Sequence, residues 1–181
     1  MRTAEDVLQF WFVDHGREDW FGGKPEFDAA LAEAFADTHG RVAKGEAWQW
    51  RMTPKGRLAE IIVLDQFSRQ LHRGTPRAFA QDAMALTLAQ EVLLLGLDEG
   101  FAVHEMMFLL LPFMHSESAV IQAESMRLHE KLGIAEGIDF ASKHRDAVER
   151  FGRFPFRNKA LGRESTREEL AYLEEWADRG F

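Results

Sequence analysis

A chain of 181 residues with 22 basic and 30 acidic side chains carries a formal charge of −8, the wrong sign for a general nucleic-acid or anionic-membrane binder. It contains no cysteine, which excludes disulfides, thiol nucleophiles and cysteinyl metal sites and fits a reducing, cytoplasmic setting. The length suits one domain over residues 1–181, able to bury roughly two-thirds of its unfolded surface.

The N-terminal stretch MRTAEDVLQFWF does not read as a signal peptide, because Glu5, Asp6 and Gln9 interrupt its apolar residues. Thr3 with Asp6 instead resembles a capping box that opens a helix. Pro25 starts a second helix, with Phe27, Leu31, Ala34 and Phe35 at helical spacing. Thr53-Pro54 and Thr75-Pro76 each read as an N-cap followed by proline at the first helical position, predicting helices to about Leu71 and Leu95. Gly96 and Gly100 bracket a turn before FAVHEMMFLLL. Its apolar run, Met106 to Met114, is far short of the ~20 residues that span a bilayer. Ser116 and Glu117 then open a helix that Gly133 ends, another covers Phe140 to Phe151, and a Thr166/Glu169 capping box starts a last one from Arg167 to about Asp178. About eight helices joined by short turns predict an all-α fold of stacked antiparallel hairpins.

Three polar features stand out from this scaffold. On the helix from Thr53, Asp65 lies where the apolar stripe of Leu58, Ile61 and Ile62 turns polar, with Arg69 one turn on. Such an acid either closes a structural ion pair or orients an arginine toward a ligand. The stretch RFGRFPFRNKALGR, Arg150 to Arg163, holds five basic residues and no acid. Its glycines and proline read as loop, with Phe151, Phe154 and Phe156 anchoring it while the arginines point away. Converging guanidinium forks suit a carboxylate or phosphate, although acids such as Glu168 and Glu169 offer internal partners.

Seven histidines invite a metal, but on one helix His104 and His115 are ~16 Å apart, and no H-E-x-x-H pattern occurs. His15, His39 and His129 read as ordinary surface or loop positions. The aromatic clusters Phe10-Trp11-Phe12, Trp20-Phe21 and Trp48/Trp50 read as packing residues. No metal or cofactor is expected.

The segments VLQFWF (7–12), LAEIIVLDQFSRQLHRGTPRAFAQD (58–82), LPFMHSE (111–117) and RFGRFPFRNKALGRESTREE (150–169) together resemble the bacterial domain of unknown function 924 family. That resemblance implies a tetratricopeptide-repeat-like, right-handed superhelix without an established activity. It carries the family pattern onto Asp65, Gln66, Arg69, Arg73, His115, Glu117, Arg150, Gly152, Arg153, Pro155, Arg157, Asn158 and Arg163. Phe156 stands where the family more often has histidine, and Ser68 where it often has proline, a change without evident chemical consequence.

The leading functional reading is a cleft that binds an anionic small molecule or an acidic peptide. Asp65 would orient Arg69; Arg73, Arg153, Arg157 and Asn158 would complete the polar wall; His115 and Glu117 would line the rim. A second reading is a hydrolase in which His115 is the general base and Glu117 or Asp65 orients it. A third is a protein-interaction scaffold without a small-molecule site.

Overall fold

The computed structural model describes residues 1–21 and 23–176, and every regular element among them is helical. Thr3 caps α1 (Ala4–Gln9) as expected: its Oγ1 accepts from the Asp6 N–H at 3.2 Å, and its own N–H donates to Asp6 at 2.8 Å. The helix then widens into a π-helical turn, Phe10–Asp14. There follow α2 (Arg17–Trp20) and α3 (Pro25–Val42), the latter with proline in its first turn. A 3-10 turn, Trp48–Met52, leads into α4 (Pro54–Ile62), capped by Thr53. The expected single helix to Leu71 is interrupted by a second π-helical turn, Val63–Phe67, before α5 (Ser68–Leu71).

The remaining elements are α6 (Asp82–Leu94), α7 (Val103–Met114), α8 (Ala119–Leu132), α9 (Ala135–Phe151), α10 (Asn158–Leu161) and α11 (Arg167–Glu175). Several boundaries differ from the sequence reading. Thr75-Pro76 opens only a 3-10 turn, Pro76–Phe79, and the helix proper waits until Asp82. That acid sits at the electropositive helix start and is held there by Arg69. α8 begins at Ala119, because Glu117 is drawn away into an ion pair. α9 starts at Ala135, so Gly133 (φ +76°) and Ile134 alone join α8 to α9 as an antiparallel hairpin. The expected end of the last helix, near Asp178, lies outside the described residues.

The chain forms two compact units: Met1–Arg73 with Arg77–Pro112, and Gly74–Pro76 with the chain from Phe113 on. In the first, α4 packs against α1 and α6, while α3 packs on α5 and the second π turn. Trp11, Leu31, Leu58, Ile61, Ile62, Leu64 and Phe67 are fully buried there. In the second, Ala147, Val148, Phe154 and Tyr172 form a smaller core edged by Phe151 and Trp176. Not every aromatic is a packing residue: Trp48 and Phe21 are largely exposed. Among the described residues no helix is long and apolar enough to cross a membrane.

Gly56 is required by proximity. A Cβ at this position would lie 2.0 Å from the Trp50 carbonyl oxygen, so Gly56→Ala must displace the 3-10 turn. We expect it to lower stability by about 1–3 kcal/mol in urea unfolding.

Candidate functional site

In the first unit the second π turn and α5 place the candidate residues. Asp65 is buried at 1 % exposure and sits 3.1 Å from Arg69. Arg69 also donates through Nη1 to the Asp65 carbonyl (2.7 Å) and in bidentate fashion to Asp82 (2.9 and 3.0 Å). Its guanidinium lies over the Phe79 ring. Burial alone would lower the Arg69 pKa, but Asp65 and Asp82 outweigh it and hold the side chain firmly charged. The acid placed after the apolar run thus anchors an arginine between two carboxylates.

Beyond this clamp the end of α5 is basic. Arg73 is about half exposed and contacts Asp28 at 3.1–3.3 Å. Those distances are long for charge-assisted hydrogen bonds. Arg77, on the 3-10 turn, is exposed, and its side chain makes no hydrogen bond or ion pair among the described residues. Burial, assisted by the Arg77 charge, lowers the pKa of His72. His39 is also buried, correcting its reading as a surface residue, and its ring lies 5.1 Å from that of His72.

In the second unit the arginine loop turns inward rather than away. Gly152 (φ +70°) ends α9 in the left-handed conformation that a side chain would strain, and reverses the chain. Phe154 is then buried, while Phe156 is partly exposed. Arg153 makes a fork on Glu169 (2.6 and 2.8 Å). Arg163 makes another on Glu117 (2.8 and 2.9 Å), and its Nε donates to Asn158 (3.0 Å). Glu117 also accepts from the Phe154 N–H at 2.8 Å. Arg157 lies over the Phe154 ring and donates to the His115 carbonyl at 2.8 Å.

The carbonyls on either side of His115, of Met114 and Ser116, both accept from the amide of the fully buried Gln122 at 2.7 Å. Three successive carbonyls at the end of α7 are therefore satisfied by side chains. The His115 and His144 rings are 6.1 Å apart, and His144 Nδ1 donates to the Phe140 carbonyl (2.8 Å). His129, like His39, is buried rather than superficial, bonded to the Ser125 carbonyl. Among the described residues no three His, Asp or Glu side chains gather as a metal would require.

Burial would raise the Glu117 carboxyl, but Arg163, the Phe154 N–H and the Arg157 charge outweigh it and hold it below the usual range. Glu117 is thus a committed anion, poorly suited to exchanging protons near neutrality. Asp65, Arg69 and Arg73 belong to the first unit, and His115, Glu117, Arg153, Arg157 and Asn158 to the second.

Residues 7–176 match the family described as bacterial protein of unknown function (DUF924). The chain belongs to this family. It is similar to a solved protein of unknown function from Agrobacterium tumefaciens, with 38 % identity over 95 % of this chain and 97 % of that one, and a TM-score of 0.90. No curated protein matches the chain. Family membership therefore brings the all-helical fold but no chemistry.

Sequence reasoning missed Arg77, Asp82 and Gln122. Arg73 and Arg77 flank the turn Gly-Thr-Pro, so their spacing was a usable signal; the Arg69–Asp82 and Gln122 contacts had none. Ser68, read as inconsequential, is fully buried and bonded to His39.

The Arg153–Glu169 pair gives a sharp test. Glu169 is 2 % exposed, and Arg153, working against burial and aided by the Thr166 N–H and Asn158, holds its carboxyl at about 2. Glu169→Gln leaves a guanidinium without its counter-charge and should cost about 2–3 kcal/mol at pH 7. Because the folded pKa lies below the ordinary 4.5, this stabilisation is complete above that pH and fades as pH falls towards 2. Urea midpoints of the variant should lack that part of the acid loss.

Proposed function

We propose that the protein is a binding protein whose first unit takes the anionic group of a small molecule or an acidic peptide at the end of α5. The observation that carries this reading is Arg77, an exposed guanidinium without an acidic partner among the described residues, beside His72. Arg73, four residues before it, is half exposed and is held by Asp28 and by the Gln70 side chain. Two guanidiniums on one tight turn suit the bidentate recognition of phosphate or carboxylate. Asp65 and Asp82 contribute by fixing Arg69 on the helix that leads into the Arg73 turn.

On this reading Arg153, Arg157, Asn158, His115 and Glu117 hold the loop of the second unit rather than the ligand. A hydrolase built on His115 gains no support from Glu117, whose carboxylate is committed to Arg163 and the Phe154 N–H. A cytoplasmic location and tetratricopeptide-like stacking accord with the proposal and are part of it.

Thermal unfolding with inorganic phosphate, pyrophosphate, citrate and an acidic hexapeptide tests the proposal. A probe at ten times its dissociation constant adds about 1.4 kcal/mol, which raises Tm by a few degrees. The rise should vanish in the Arg73→Gln/Arg77→Gln double variant. Arg153→Gln should lower Tm of the free protein while leaving the increment intact. Absence of a rise with every probe, or a rise unchanged in the double variant, overturns the reading.

A further inference from the structure

His39 lies on α3 at 4 % exposure, and its Nε2 is 2.8 Å from the hydroxyl of Ser68, which is fully buried at the start of α5. Ser68 Oγ in turn lies 2.6 Å from the Leu64 carbonyl, inside the second π turn. A hydroxyl has one proton, and the carbonyl can only accept, so Ser68 donates to Leu64 and must accept from His39. His39 therefore carries a proton on Nε2, and Nδ1 is the nitrogen left to take up a second one. A single hydrogen-bonded chain, His39 to Ser68 to Leu64, ties α3 to the turn that carries Asp65.

The groups around it oppose a second proton. From the end of α5, His72 presents its ring at 5.1 Å, and from the following 3-10 turn Arg77 adds a fixed positive charge. The carboxylates on the elements packed here are already engaged. Asp65 on the π turn is held by Arg69 and Gln66, and Asp28 at the start of α3 by Arg73. On α3 itself, Asp37 pairs with the N-terminal amine, and Arg41 with Glu46. We propose that His39 is an acid-sensitive latch, seated against the π turn in neutral solution and released when a proton on Nδ1 places a charge without a counter-ion in this buried position. The inference does not require anion binding at Arg73 and Arg77.

Burial, reinforced by His72 and Arg77, lowers the His39 pKa from 6.5 to about 4. A folded value below the unfolded one means that stability is complete above pH 6.5 and lost as pH falls towards 4. From those two values, the folding equilibrium constant should drop roughly thirty-fold between pH 8 and pH 5 through this group alone.

The experiment compares urea unfolding of the wild type and His39→Gln, which keeps an N–H donor for Ser68 without titrating, at pH 8 and pH 5. The expected result is that the wild type loses about thirty-fold more than the variant; equal losses overturn the latch. Proton NMR titration of the wild-type imidazoles provides a second arm should the variant fail to fold. A His39 ring that titrates at or above 6.5 overturns the proposal, and one that stays neutral until the protein opens upholds it.

Discussion

A carboxylate taken out of water must be met by a cation or by several N–H groups, because stranding it costs several kcal/mol. Much of this molecule is organised by that demand. Glu60, fully buried on α4, is gripped by Arg51 from the preceding 3-10 turn. Asp65 is met by Arg69, and Glu169 by Arg153. The Arg51 and Arg153 pairings each tie a helix to a neighbouring turn or loop, while Asp65 and Arg69 pair one turn apart along the same helical run. The arginine loop shows the effect most plainly: it leaves α9 at Gly152 and is drawn back by Glu169 and Glu117 before α11 begins.

The π-helical turns serve the same end by different means. A widened turn leaves carbonyls able to accept from side chains as well as from the backbone, and π turns often mark functional positions. In the first, the Trp11 carbonyl accepts from the Trp20 indole at 2.8 Å, which holds α2 against the aromatic core. In the second, the Leu64 and Asp65 carbonyls accept from Ser68 and Arg69. The polar groups of greatest interest in the first unit hang on that one irregularity.

The arginines of this molecule fall into two groups by their partners. Arg51, Arg69, Arg153 and Arg163 are satisfied by internal carboxylates at hydrogen-bonding distance. Arg73 is half exposed and bonded to Asp28 and Gln70, while the Arg77 side chain carries no such contact among the described residues. The basic stretch that is densest along the chain is therefore the one most consumed by folding. The sparser pair beside the Gly74 turn is the one on which the proposed anion binding rests.

The all-helical fold, the Thr3, Thr53 and Thr166 caps and the oddity of Asp65 were legible in the sequence, because periodicity, capping and charge within an apolar run are local signals. The partner of each charge was not. Arg69 meets Asp82 thirteen residues away, Arg163 meets Glu117 across 46 and His39 meets Ser68 across 29. Spacing along a chain carries no distance in space. Burial of His39, Ser68 and His129 was hidden for the same reason, since small and polar side chains enter a core only where its packing leaves room and a hydrogen bond. The sequence by itself determined that helices form and roughly where they begin. Only the tertiary structure decided which charges are spent inside the molecule, because an ion pair is set by the meeting of two distant segments.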